Sequence, residues 1–509
     1  MHLSDIASQA PGRNAVIMSD GSRPMAFAEL DRRSLQVSRL LSGLGVRPGG
    51  HVALMMANRP EFFEVAWGAQ RRGTLWTPVN WHLTASEAQY IVEDCGAQVL
   101  FASPETADVA AQITERLPGV TVFLCGAERP GSGTGLASYE RAREQQSADP
   151  LGDEVEGVYF FYSSGTTGRP KGINREHEFP PFGSGAGLEL LMREAFGFGP
   201  DSVYLCPAPL YHSAPIAWSM GTHRNRGTVV LMERFDAAEC LRAIERHRVT
   251  HVQFVPTHLV RMLKLPDAER RAFDLSSLRV VVHAAAPCPV DVKQQMFDWL
   301  GPRIFEYYAG SEGNGMTMIG PQEWLAHPGS VGRPAPGTVH IVGEDGEELP
   351  AGQDGVIYFE GAPFEYHNDP AKTAGSRDDR GWSTLGDVGH LDTDGYLFLA
   401  DRRTDLIISG GVNIYPAEIE QALIMHPAVA DVAVIGVADP EMGQSVLAVV
   451  QPAGGLPPRD GLADELIAHC RSRLASFKCP RTIEFVAELP RLPTGKLLRR
   501  RLREERQPA

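Results

Sequence analysis

The chain has 509 residues, with 48 Lys and Arg against 63 Asp and Glu and a formal net charge of −15. Hydrophobic residues make up 43% and charged residues 22%, the balance of an ordinary globular protein rather than a disordered, collagen-like or membrane chain. The acidic excess argues against nucleic acid and against an anionic membrane surface as partners, and no stretch approaches the roughly 20 apolar residues of a spanning helix.

The N-terminus, Met1 to Asp5, has no basic region followed by an apolar run, so no secretory signal is expected and a cytoplasmic location is. Val52 to Met56 reads as a buried strand, Gly126 to Gly135 as a surface loop, and Val158 to Phe161 as a strand. Thr228 to Met232 and Leu278 to Val282 are further apolar runs suited to strands covered on both faces, with a helical pattern over Ala237 to His247 between them. This alternation predicts α/β layers with mostly parallel sheets. Gly355 to Phe359 and Tyr396 to Leu399 then read as β-rich. A boundary is expected at Asp401 to Thr404, giving domains 1–403 and 404–509. Beyond it, helices at Glu418 to Leu423 and Leu462 to Leu474 alternate with strands at Val432 to Val437 and Val446 to Val450, an α+β pattern broken by a loop over Pro452 to Gly461. The seven cysteines are scattered without a C-x-x-C pair, as expected of reduced, buried thiols.

The strongest local signal is Tyr162-Ser163-Ser164-Gly165-Thr166-Thr167-Gly168-Arg169-Pro170-Lys171-Gly172. Consecutive hydroxyl and glycine residues, Ser163 to Gly168, let backbone N–H groups approach an anion, and Lys171 adds charge. It is not the Walker pattern, because Lys171 is followed by Gly172 rather than Ser or Thr. A plain linker is the competing reading, but a linker has no need of Pro-Lys-Gly shortly after a strand.

This segment closely resembles the signature of the adenylate-forming enzymes: acyl-CoA synthetases, adenylation domains of peptide synthetases and beetle luciferases. Further motifs follow in the family's order over nearly the whole chain: Pro209 to Pro215, Tyr308-Ala309-Gly310-Ser311-Glu312, Gly381 to Asp387, Asp401 to Gly411, and Pro493-Thr494-Gly495-Lys496. The resemblance implies a large N-terminal domain of layered sheets with a small β-barrel-like part, and a smaller, mobile C-terminal domain.

The implied chemistry joins a carboxylic acid to ATP as an acyl-adenylate and passes the acyl group to the thiol of CoA. The resemblance gives Lys496 the bridge between acid and α-phosphate, where a charge pair at about 4 Å contributes roughly 4 kcal/mol, about a thousandfold in rate. It gives Glu312 a Mg²⁺ ion, a hard cation that takes carboxylate and phosphate oxygens. Asp387 and Arg402 are implied to hold the ribose hydroxyls. Ala284, Ala285 and Ala286 are implied to let the adenine ring approach, Tyr308 to stack on it, and Glu306, where the family often has Gln or Asn, to accept from its amino group. Tyr307, Ala309, Gly310 and Ser311 complete the nucleotide segment, while Gly410 and Gly411 are implied to line the thiol tunnel. Thr404 stands at the hinge, usually Asp or Lys in the family. Taken singly, Lys496, Glu312, Asp387 and Arg402 would read as surface groups and the glycines as a turn. The basic run Lys496 to Arg503 reads either as a CoA-phosphate patch or as a solvated helix face.

Tyr211 and His212 are implied to lie beside the acyl carboxyl, a satisfied core histidine being the other reading of His212. The pocket candidates, among them Ala217, Gly221, Gly310 and Gly313, are small and mostly apolar, which predicts a large hydrophobic acid, fatty or polycyclic terpenoid- or steroid-like. The stretches His283 to Pro289 and Glu312 to Gly315 are similar to a bacterial acyl-CoA ligase subgroup with such substrates. A ligase competent in one half-reaction only, and a non-catalytic adenylate-binding protein, are the alternatives. A homodimer is left open.

Overall fold

A computed structural model of the chain describes residues 1–126, 135–163, 170–185, 187–335, 337–402, 405–409, 412–440, 442–491 and 497–506. It divides into two compact units: residues 1–253, 265–281 and 364–370 form the first, and residues 254–264, 282–363 and 371–509 the second.

The first unit carries a six-stranded, wholly parallel sheet in the order Ala137–Ser138, Thr121–Leu124, Ala97–Ala102, His51–Met55, Leu75–Pro78, Val158–Tyr159. Apolar residues of its strands and of helices Ala85–Asp94 and Ala107–Arg116 form one buried cluster. A second sheet places Thr228–Leu231 between Val203–Cys206 and Asn14–Met18, all parallel. A third, antiparallel, joins Tyr162–Ser163, Lys171–Asn174 and Glu365–Tyr366. Helix Ala237–His247 falls where its pattern predicts. The Asp236 side chain caps it by accepting from Glu239 N at 2.8 Å, and Cys240, Leu241, Ala243 and Ile244 make its buried stripe.

The predicted strand Val158 to Phe161 ends at Tyr159. The chain there leaves one sheet for another: Tyr159 pairs with Trp76, whereas Tyr162 pairs with Gly172. The apolar run is continuous because both sheets bury it. Of the expected loop Gly126 to Gly135, residues 127–134 lie outside the described residues.

The second unit runs antiparallel through Ile304–Ala309, Met316–Ile319, Ser330–Pro334, Leu397–Arg402, Ser383–Leu391, Gly355–Glu360 and Thr338–Val342. The β-rich reading of Gly355 to Phe359 and Tyr396 to Leu399 falls here, and Val331, Val339, Ile341, Ile357, Phe359 and Leu397 form a small core of this part. The terminal α+β pattern is also present. Strands Val429–Asp439 and Gly443–Pro452 pair along their length, and helices Pro416–Ile424 and Leu462–Arg471 contribute Ile419, Leu423, Leu462 and Leu466 to the cluster over them. Helix Leu462–Arg471 stops three residues short of the expected Leu474, where Leu474 N turns back to Cys470 O at 2.8 Å. Among the described residues no helix is long and apolar enough to cross a membrane, and all seven cysteines are unbridged.

Candidate active site

In the second unit, strand Ile304–Ala309 carries Glu306, Tyr307, Tyr308 and Ala309, and the turn after it carries Gly310, Ser311, Glu312 and Gly313. The Tyr308 hydroxyl donates to Asp387 Oδ2 at 2.6 Å. Asp387 lies opposite Arg402 in the register of strands Ser383–Leu391 and Leu397–Arg402. Residues from three separated motifs are thereby joined, although the Arg402 side chain is outside the described residues. A Cβ on Gly310 would collide with the Leu385 side chain and stand 2.8 Å from Glu312 Oε2, so any side chain here would have to displace both groups. Gly313, at φ +68, donates to Gly310 O at 3.1 Å and closes the turn that presents Glu312, itself 8% exposed.

Strand Val280–His283 leads into Ala284, Ala285 and Ala286. Ala285 adopts φ +75, a left-handed conformation that costs a residue with a Cβ about 1 kcal/mol or more. The neighbouring Glu306 has partners that the sequence did not show: its Oε2 accepts from Lys293 Nζ at 2.5 Å and lies 3.4 Å from His283 Nε2. Lys293 also sits 4.8 Å from the centre of the Trp324 ring. Burial pushes the Glu306 carboxyl up and the Lys293 ammonium down, and their mutual contact opposes both shifts. Burial, reinforced by the Lys293 charge, pushes His283 well below the ordinary histidine value. Lys293 escaped the sequence reading because a helical lysine reads as solvated. The available signal was its place on the apolar stripe of helix Val290–Leu300 with Phe297 and Leu300.

In the first unit, Ser163 and Lys171 are cross-strand partners flanking the phosphate-loop segment. Ser164, Gly165, Thr166, Thr167 and Gly168 lie outside the described residues. Lys171 Nζ donates to Asp369, which raises its pKa, and Tyr162 donates its hydroxyl to Asp94 Oδ2 at 2.6 Å. Neither carboxylate was singled out in the sequence, where Lys171 and Asp369 stand 198 positions apart.

Tyr211 and His212 lead into helix Ser213–Arg224, with ring centroids 4.3 Å apart. Buried Asn58, also unforeseen, pins this turn. Its Oδ1 accepts from Leu210 N at 2.8 Å, and its Nδ2 donates to Ala208 O and Met232 O at 3.0 and 2.8 Å. The Tyr211 hydroxyl is buried and has no hydrogen-bond partner among the described residues. Ala217 lines a small cavity with Gln70, Tyr159, Leu188, Glu189, Met220, Gly221 and Arg224. Of the expected pocket candidates, Ala217 and Gly221 meet there, beside the polar Gln70, Glu189 and Arg224.

At the C-terminal end, Thr404, Gly410, Gly411 and Lys496 lie outside the described residues. The basic run begins its helix only at Arg499. Arg499 donates to Glu420 at 2.6 Å, Arg503 pairs with Asp405, Arg500 with Glu504 at 2.6 Å and Arg501 with Glu505 at 2.8 Å. Four arginines thus pair with carboxylates of the same chain, the arrangement that the solvated-helix reading of this run expects.

Sequence profiles of two families match the chain: AMP-binding enzyme over residues 3–364 and AMP-binding enzyme C-terminal domain over residues 418–496. A feruloyl-CoA synthase of Amycolatopsis is 34% identical over 499 residues, covering 96% of each chain. A 3-[(3aS,4S,7aS)-7a-methyl-1,5-dioxo-octahydro-1H-inden-4-yl]propanoyl:CoA ligase of Rhodococcus jostii is 33% identical, covering 96% of this chain and 95% of its own. The o-succinylbenzoate CoA synthetase of Bacillus subtilis, solved with its acyl-adenylate intermediate, superposes with a TM-score of 0.81 at 27% identity over 100% of this chain and 98% of that one. The chain belongs to the AMP-binding, adenylate-forming enzymes. Within them it is an acyl-CoA ligase, ATP-dependent and AMP-forming.

Proposed function

We propose that the acid is large and mainly hydrophobic, fatty or polycyclic terpenoid- or steroid-like, and that both half-reactions run on this chain. In the first, a carboxylate oxygen of the acid attacks the α-phosphorus of ATP and pyrophosphate leaves. In the second, the CoA sulfur attacks the acyl carbon, its proton is lost, and AMP leaves. Tyr308 stacks on adenine, and Asp387 and Arg402 hold the ribose. Ser163 to Gly168 and Lys171 surround the phosphates, and Lys496 bridges acid and α-phosphate in the adenylating arrangement. His212 borders the acyl carboxyl, Gly410 and Gly411 the thiol path, and the division at 404 serves as the hinge.

Mg²⁺ fits the residues present. Glu312 is a single, mostly buried carboxylate beside a glycine that leaves room, and Mg²⁺ binds through one or two carboxylates plus substrate phosphates. When bound it would neutralise phosphate charge, while Glu312 fixes its place.

The observation that most supports the nucleotide assignment is the contact from Tyr308 to Asp387, with Asp387 in register with Arg402. For the acid, small residues along the helix after His212 and the names of the two relatives support a bulky skeleton. The test is a panel of acids with ATP, Mg²⁺ and CoA: medium- and long-chain fatty acids, polycyclic acids, ferulate, acetate and amino acids. The expected result is thioester, AMP and pyrophosphate in equal amounts, fastest with the large hydrophobic acids. A preference for acetate or an amino acid contradicts the acid assignment. Pyrophosphate exchange without thioester favours the one-half-reaction alternative.

A further inference from the structure

Arg224 is the last residue of helix Ser213–Arg224, and its side chain is only 4% exposed. One guanidinium nitrogen, Nη2, pairs with Glu156 Oε1, and the group lies 4.9 Å from the centre of the Trp67 ring. Glu156 is satisfied elsewhere too: Oε1 accepts from Gln70 Nε2 at 2.6 Å, and Oε2 from Gly183 N at 2.8 Å and Gly185 N at 3.4 Å. Arg224 Nη1 is different. It is buried and has no hydrogen-bond partner among the described residues. Leaving a buried charged donor unpaired costs more than leaving a neutral one, so native structures hold few of them. This one belongs to a residue lining the cavity beside Ala217 and Gly221.

We propose that Arg224 determines acid specificity by donating from Nη1 to a neutral oxygen, a ketone, hydroxyl or ether, at the end of the acid remote from its carboxyl. The inference rests on the large-acid reading, with the carboxyl beside His212. Helix Ser213–Arg224 then acts as a ruler of about 16 Å, with a carboxyl station at its start and a hydrogen-bond donor at its end. Leu188, Ala217, Met220 and Gly221 give an apolar wall to the stretch between. The distal group is neutral because Glu156 already pairs with Arg224 and Glu189 lines the same cavity, so a further carboxylate would meet like charge.

The cavity as it stands measures about 20 Å³, room for a water molecule rather than a carbon skeleton. Two side chains crowd its surroundings. Met192 Sδ packs where a Cβ on Gly221 would stand, and the carboxylate of Glu189, which lines the cavity, packs against Gly185 in the same way. Both are flexible, methionine especially, and turning them aside admits the acid.

The test compares acids of one polycyclic skeleton bearing at the far end a ketone, a methylene or a carboxylate. The readout is the ratio of kcat/KM within the set, which does not depend on the fraction of folded enzyme. Wild type should favour the ketone over the methylene by tenfold or more, and over the distal carboxylate as well. Arg224→Met should bring the ketone-to-methylene ratio to about one. Arg224→Lys, which keeps a cation for Glu156, should retain part of the preference. A wild-type ratio near one with rapid turnover of both acids overturns this inference and leaves the large-acid reading standing. A ratio unmoved by Arg224→Met, or preference for the carboxylate, also overturns it. If no member is activated while acetate or an amino acid is, both readings fall together.

Discussion

Glu306 and Glu156 are both buried carboxylates facing a buried cation, yet the two clusters differ in what they leave over. Around Glu306 the cation is Lys293, a point charge seated on Trp324, with His283 close by. Around Glu156 the cation is Arg224, whose planar fork places one nitrogen on the carboxylate and leaves the other buried without a partner among the described residues. A lysine's three donors radiate from a single nitrogen, whereas an arginine's rigid fork can hold one partner on one nitrogen and aim another nitrogen's donors elsewhere. The first cluster thus acts as scaffolding joined to the strained Ala285 segment, and the second as a reader of whatever enters the cavity.

The comparison breaks first at Lys293. Lys293→Met leaves Glu306 buried without its cation and should cost about 3–5 kcal/mol, whereas Lys293→Met with Glu306→Gln should recover much of that. Urea denaturation of the single and double variants decides. An equal loss in both would mean that packing, not charge, makes the cluster matter.

Acid sharpens it next, because each region also buries a neutral histidine. Beside Arg224, His223 accepts from Trp67 Nε1 at 3.1 Å and contacts Ala15 O at 3.0 Å, and burial lowers its pKa to about 4. Between about pH 6.5 and 4 the unfolded chain binds a proton at this residue that the folded chain refuses. Stability therefore falls as pH drops through that window and levels off below it. The difference is at most about 3 kcal/mol for His223. His223→Gln keeps a donor and an acceptor but does not titrate, so the pH slope of the denaturation midpoint should flatten. An unchanged slope would assign the acid sensitivity to other groups.

Much of the fold was legible because local rules agreed with it. Helix Ala237–His247 has a capping aspartate, an apolar stripe and basic residues in its last turn, and no tertiary force opposes them. The nucleotide motifs were legible as residue types in order, but not their geometry: the contact of Tyr308 with Asp387 is made by strands that meet only in the folded sheet. The buried charges were illegible for a related reason. Lys293 looked like an exposed helical lysine, Arg224 sat in the polar-looking stretch His223-Arg224-Asn225-Arg226, and Lys171 looked free for phosphate until Asp369 came beside it from far along the chain. Sequence shows that a charge is present, and only the fold decides whether it meets solvent, a partner or a cavity.

The central claim is that this chain makes acids reactive by adenylation, with Lys496 supplying charge at the α-phosphate. Acid-dependent ATP–pyrophosphate exchange by wild type and Lys496→Ala tests it most directly, with transfer from a preformed acyl-adenylate to CoA measured on the same preparations. Exchange should fall about a thousandfold in the variant while transfer falls far less. Exchange that needs no acid, or that survives loss of the Lys496 amine at the wild-type rate, would contradict the account.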